Sequence, residues 1–215
     1  MTNKVVIIGT GGNSIDVIEI LEEISAFGTQ RYEIVGYLDD NSTLHNTIIH
    51  GYPVLGSLNM IDSLSDDISF VFTIGSPNSF KNRKSIVASL GIERNRFINV
   101  IHPSARVSRS STLGKGLIIF PNVVICSNVV LGDFSVILSN STINHDCTLG
   151  DFTICASNVN LAGGVLVENQ CYLGAGAQIR NDVKIKSGAI VGMGSVVLNN
   201  VLENSIVIGN PGKTM

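Results

Sequence analysis

Two stretches of the chain carry residue types that can do chemistry. The first is Ile143-Asn144-His145-Asp146-Cys147-Thr148, where an imidazole is followed at once by a carboxylate. An exposed neutral imidazole with an acidic neighbour can act as a general base, and its bland alternative is an ordinary surface histidine. The second is Gly9-Thr10-Gly11-Gly12-Asn13-Ser14, which follows the apolar run Val5-Val6-Ile7-Ile8 and precedes Ile15, Ile18, Leu21 and Ile24 at helical spacing. Strand, glycine turn and helix in that order present backbone N–H groups and a helix N-terminus, the usual cradle for a phosphate. As a dinucleotide fingerprint the turn is incomplete, because the third glycine of G-x-G-x-x-G falls on Ser14.

Further candidates lie around these two. A strand from Glu33 to Leu38 ends in Asp39-Asp40, which can accept hydrogen bonds from a ribose or a base N–H, or can simply close a strand-end turn. Gly163-Gly164 lies eighteen residues beyond His145, where an unhindered N–H can face a developing oxyanion. His45 and His50 sit in a polar connection and read as solvated, and His102, before Pro103, has no assigned role.

The element that must position His145 is a repeat. Every sixth residue from Ile101 to Val197 is aliphatic, with Cys155 the single exception among seventeen positions. Four places after each comes a mostly small or β-branched residue, such as Ser111, Ser135, Ser141, Cys147 and Thr153. This pattern is that of a hexapeptide β-helix. Three hexads per triangular coil give five to six coils, and stacking at the strand spacing makes a prism roughly 27 Å tall. His145 occupies the third place of its hexad, at a corner and outside the core. Gly114, Gly132, Gly150, Gly174 and Gly192, each just after an aliphatic position, suit close packing and the unusual dihedrals of corners.

The glycine turn belongs to a separate front domain. Its third expected strand runs from Phe70 to Ile74 and closes in Gly75-Ser76-Pro77-Asn78, with a helix through Arg83, Ile86 and Leu90 behind it. A fourth strand is expected over Phe97 to Val100. The fold class is therefore a Rossmann-like α/β half domain over residues 1–100, followed by a parallel β-helix with a C-terminal tail over 101–215. About four parallel strands make half of a dinucleotide fold, which suits one nucleotide better than NAD.

Composition restricts the function. Net charge is −3, which gives no electrostatic case for nucleic acid or an anionic membrane. No segment approaches the length of an apolar membrane span, and the N-terminus lacks a signal-peptide pattern, so a cytoplasmic location is expected. The four cysteines lie in the repeat, three of them at buried frame places, and read as core residues, with no disulfide or metal site.

The order of parts resembles the sugar O-acyltransferase and sialic acid O-acetyltransferase (NeuD/PglD-like) family of left-handed β-helix enzymes. The resemblance covers nearly the whole chain. It rests on the glycine turn with Leu38-Asp39-Asp40, on Asn144-His145-Asp146-Cys147 with Gly150-Asp151-Phe152, on Leu173-Gly174-Ala175-Gly176, and on Gly209-Asn210-Pro211-Gly212-Lys213. It implies a homotrimer with active sites between subunits, acetyl-CoA as co-substrate and no metal. Gly9, Gly11, Gly12, Asn13, Ser14, Asp39 and Asp40 would bind a nucleotide sugar. His145 would be the catalytic base and Asp146 would hold its tautomer. Gly163 would turn an N–H to the thioester oxygen, and Gly174, Ala175 and Lys213 would line the coenzyme. The implied reaction is direct acetyl transfer to the nitrogen of a nucleotide-linked amino sugar for surface glycan synthesis, in which Cys147 need not act.

This chain departs from the family at three places, with Ile154 and Asn13 where histidines are common and Leu138 where asparagine is. O-acetylation of a sialic acid or another sugar hydroxyl, and a non-catalytic β-helix scaffold, are the competing readings. A γ-carbonic-anhydrase-like metalloenzyme is disfavoured because it needs three histidine ligands and the prism has only His102 and His145. A nicotinamide oxidoreductase is disfavoured by the half-sized front domain.

Overall fold

The computed structural model describes residues 2–28 and 30–215. Val5, Val6, Ile7 and Ile8 are wholly buried, as a continuous apolar run must be when it forms the central strand of a covered parallel sheet. This strand, β1 (Thr2–Ile8), is flanked by β2 (Arg31–Leu38) and by β5 (Ser69–Phe72), both parallel to it. Helix α1 (Gly12–Phe27) connects β1 to β2 and buries Val17, Ile18 and Leu21 against the sheet. Beyond β2 lie β4 (Tyr52–Gly56), parallel to it, and the short β3 (Ile48–Ile49), which closes an antiparallel hairpin with β4. The sheet order is β3-β4-β2-β1-β5.

Two expectations change here. The hairpin of β3 and β4 did not stand out in the sequence, because Pro53 and Gly51 interrupt its apolar residues. The strand expected over Phe97–Val100 is divided: Phe97 makes a single parallel bridge to Phe70, while Val100–Ile101 opens the prism. Asn99 makes the division, since its amide donates to the Gly114 carbonyl and accepts from the Leu117 N–H and so draws the chain into the first coil.

From Val100 onward, strands of two residues recur every six and pair with strands eighteen residues away, as in Val124 with Thr142 and Ile125 with Ile143. Three parallel faces result. Face I begins with Val100–Ile101, Ile118–Ile119, Val136–Ile137, Ile154–Cys155 and Tyr172–Leu173 and ends in an antiparallel pair, Ile206–Ile208 with Lys213–Thr214. Face II runs from Arg106–Val107 to Val196–Val197 and face III from Thr112–Leu113 to Lys184–Ile185. Inside, where the small residue is a serine, threonine or cysteine it commonly donates to a carbonyl fifteen residues on: Ser111 Oγ to Cys126 O (2.7 Å), Ser141 Oγ to Ala156 O (2.9 Å) and Cys147 Sγ to Ala162 O (3.1 Å).

The corners correct another expectation. Gly114, Gly132, Gly150 and Gly174 do not supply the left-handed dihedrals; a Cβ on any of them would come within 2.8 Å of backbone in the next coil, so close packing alone requires glycine there. The positive φ falls two residues later, on Gly116, Phe134, Phe152 and Gly176, and at the same place of other hexads on Asn122, Asn128, Asn140, Asp146 and Asn158, types whose short polar side chains tolerate it.

The front domain covers face I. The outward residues Ile118, Val136 and Ile154 are at most 6% exposed. At the edge between faces III and I, Phe134 and Phe152 stack at 4.9 Å, and Phe72 and Phe97 meet Phe134 edge-on. Arg94 pairs with Asp133, and His102 Nε2 lies 2.9 Å from Glu23, so His102 ties α1 to the prism.

Candidate functional site

His145 stands on the edge between faces II and III, where Asp146 turns the corner with φ 62°. The turn swings the carboxylate back so that Asp146 Oδ2 lies 2.7 Å from His145 Nδ1, and Asn128 Nδ2, one coil below, donates to Asp146 Oδ1 at 3.0 Å. The hydrogen bond to His145, and then that from Asn128, hold the Asp146 carboxyl below its usual range. With Nδ1 engaged, Nε2 is the ring nitrogen free to meet a substrate, and the side chain is 62% exposed. Gly163 lies one coil above. A Cβ there would sit 2.6 Å from Cε1 and 2.7 Å from Nε2 of His145, so the ring rests on the bare Cα. The Gly164 N–H donates to His145 O, whereas the Gly163 N–H donates to no other described residue.

Cys147, the next residue, is buried, and burial pushes its thiol above the usual value, as it does for Cys155 and, up to about 11, for Cys171. Protonated buried thiols are poor nucleophiles.

The second constellation is a cleft of about 460 Å³ in the front domain, lined by Gly9, Thr10, Gly11, Gly12, Asn13, Asp39, Thr73, Ile74, Gly75, Ser76 and Ser79. It lies beyond the C-terminal ends of β1 and β5, where the chain leaves β1 for β2 on one side and β5 lies on the other, the switch point at which ligands bind in open α/β sheets. Thr73 and Ser79 were not singled out in the sequence, and Thr10 and Ser76 entered only as parts of the turns that hold them. The turn after Phe72 was visible there, but not that β5 would pair beside β1.

Two expected members are elsewhere. Ser14 is fully buried, its Oγ without a hydrogen-bond partner, inside the domain and off the cleft wall. Asp40 accepts the Leu58 N–H at 2.9 Å and caps that turn. Asp39 accepts from Thr10 N (2.9 Å), Thr10 Oγ1 (2.7 Å) and Asn41 N (2.9 Å). Partial burial works against its charge, but these hydrogen bonds and the nearby His45 outweigh it and lower its pKa. His45 is not merely solvated, since its Nε2 bonds the Asp39 carbonyl oxygen at 2.8 Å.

The candidate coenzyme residues form a third group. Gly174 and exposed Ala175 lie on the edge between faces I and II, and Lys213 is exposed on the last strand of face I. Ile154, in place of a histidine, is packed beneath Gly75, where a Cβ on the glycine would meet its Cδ1 at 3.1 Å. The front-domain cleft thus lies over face I, while His145 lies on the opposite edge. One chain does not bring the two together.

Among the described residues no helix is long and apolar enough to cross a membrane. Residues 4–90 match the PglD N-terminal domain family and residues 97–208 the GMPPB C-terminal domain family. A UDP-N-acetylbacillosamine N-acetyltransferase of Bacillus subtilis is 41% identical over 56 residues, a stretch that spans 26% of this chain and only 24% of that relative. The acetyltransferase domain of PglB from Neisseria gonorrhoeae, solved with acetyl coenzyme A, is 27% identical and superposes with a TM-score of 0.86 over 100% of both chains. PerB from Caulobacter crescentus, solved with CoA and GDP-perosamine, is 31% identical over 98% of this chain and 96% of its own, with a TM-score of 0.83. A Rossmann-like half domain leading into a left-handed β-helix is common to all of these structures. On that shared architecture and the whole-length identity to PerB, the chain belongs to the hexapeptide-repeat family of sugar acetyltransferases.

Proposed function

We propose that the chain is an acetyl-CoA-dependent N-acetyltransferase of a nucleotide-linked amino sugar, of the 4-amino-4,6-dideoxy type, serving surface glycan synthesis in the cytoplasm. The observation that carries this reading is the His145–Asp146 pair, exposed on a prism edge with Nε2 free over the bare Cα of Gly163. The relatives support the substrate class, since one is a UDP-N-acetylbacillosamine N-acetyltransferase and another was solved with CoA and GDP-perosamine.

The sugar amine attacks the thioester carbonyl, and His145 Nε2 takes the proton that the nitrogen sheds. Asp146 holds Nδ1 protonated and stabilises the imidazolium that forms. The Gly163 N–H meets the developing oxyanion. As the adduct collapses, the C–S bond breaks and His145 returns its proton to the leaving thiolate, giving amide and free CoA. Gly9, Gly11, Gly12, Asn13 and Asp39 hold the nucleotide, and Gly174, Ala175 and Lys213 line the coenzyme. Because the cleft and His145 are on opposite sides of one prism, the working unit is a homotrimer in which a neighbour's base serves each cleft. The test is release of free thiol from acetyl-CoA across a panel of UDP-, dTDP-, GDP- and CMP-linked amino sugars. Thiol release with none of them defeats the reading.

A further inference from the structure

The cleft wall includes no lysine or arginine, and its one carboxylate is Asp39. A phosphate-binding cleft of that composition has the N-terminus of α1 on its side, but no visible counter-charge. A cation lies beneath the floor. Arg83 is 0% exposed, and a Cβ on Gly75 would come within 3.3 Å of its Cδ and Nε. Its Nε donates to Ile74 O at 2.9 Å and its Nη1 to Phe152 O at 3.2 Å, while Nη2 has no partner. The guanidinium lies 5.5 Å from the Phe72 ring centre and 5.9 Å from that of Phe152, and no carboxylate among the described residues pairs with it.

Burying a cation with no counter-ion is expensive, and nature generally supplies a partner or removes the charge. Burial pulls this guanidinium down to about 9, which still leaves it charged at neutral pH. Two carbonyls and two aromatic faces offset part of the cost. Packing alone would be served as well by a methionine of similar length.

We propose that Arg83 is the fixed positive charge of the front-domain cleft: from beneath Gly75 its field holds the anionic diphosphate of the nucleotide without touching it, while its two carbonyl bonds pin the Ile74–Gly75 segment to the prism. This rests on the nucleotide-sugar reading above. A charge set behind backbone attracts phosphate but forms no direct contact that product release would have to break, and it is indifferent to the base.

The test is calorimetry and ligand-observed NMR on the full chain with UDP, GDP, dTDP and CDP, their uncharged nucleosides, and inorganic pyrophosphate as competitor. Variants are Arg83→Lys, Arg83→Met and Arg83→Gln. For the diphosphate that the wild type binds, the two neutral variants should weaken binding about tenfold or more and blunt competition by pyrophosphate, with nucleoside binding unchanged. Arg83→Lys, which keeps the charge on a shorter side chain, should stay within about threefold of wild type. Equal losses for nucleoside and diphosphate, full affinity in Arg83→Met, or a Lys variant as weak as the Met variant would each overturn the proposal. If neither neutral variant folds, the Lys variant decides, a tenfold loss counting against. A wild-type protein that binds none of these nucleotides defeats the nucleotide reading itself, before any variant is measured.

Discussion

The imidazole of His145 lies on the Cα of Gly163, so closely that a Cβ on the glycine would come within 2.6 Å of the ring. Gly163 has no positive φ, so alanine suits its backbone and the clash is with the ring alone. Gly163→Ala should therefore push His145 off Asp146 and lower kcat at least tenfold, with thermal stability changed by no more than a few degrees. Wild-type turnover in a folded Gly163→Ala protein would show that the ring position is unimportant.

Cys147 follows Asp146 directly, but its Sγ only repeats the bond that serines make elsewhere in the frame to a carbonyl fifteen residues on. Cys147→Ser should keep that bond and leave kcat and both KM values within about twofold. Loss of turnover with normal stability would point to a covalent thioester and against direct transfer.

The Asp39 loop should be acid-sensitive. The folded-state pKa of Asp39 lies below its ordinary 3.8, so its carboxylate contributes stability above that value and loses it as pH falls through the lowered one. Asp39→Asn should flatten the acid limb of stability below about pH 4 and change little at pH 7 beyond a constant offset. Urea unfolding of both proteins at pH 7, 5 and 3 gives the comparison; parallel curves would assign the acid limb to other groups.

The opposite placement of His145 and the cleft predicts complementation. A His145→Ala chain offers a sound cleft, and an Asp39→Ala chain offers a sound base. Neither alone should turn over well, but if the proposed homotrimer builds each site from two neighbours, chains co-expressed and randomly assembled should recover about a quarter of wild-type activity. No recovery in mixed trimers would place both halves of the site in one chain.

Much of this was legible because the hexad frame is geometric. A strict six-residue period fixes which residues enter the core, and by itself it puts His145 outside. A second period went unread: the residue before each aliphatic one is apolar in every third hexad, as in Ile118, Val136, Ile154, Tyr172 and Ile190, and this eighteen-residue stripe is the face that the front domain covers. It also gives Ile154 a structural reason, since that residue packs under Gly75. Contacts between distant segments were not legible. Nothing local to Ser14, Asp40 or His102 announces that the first is sealed inside, the second caps the turn at Leu58 and the third meets Glu23.

The proposed chemistry depends above all on His145, whose side chain is 62% exposed and can be removed without opening a cavity. The decisive measurement is steady-state thiol release from acetyl-CoA with the best nucleotide amino sugar of the panel, wild type against His145→Ala, beside thermal melts and affinities for both substrates. Turnover should fall by about 10² to 10⁴, with melting and affinities nearly unchanged. A folded His145→Ala enzyme that keeps most of its turnover would contradict it.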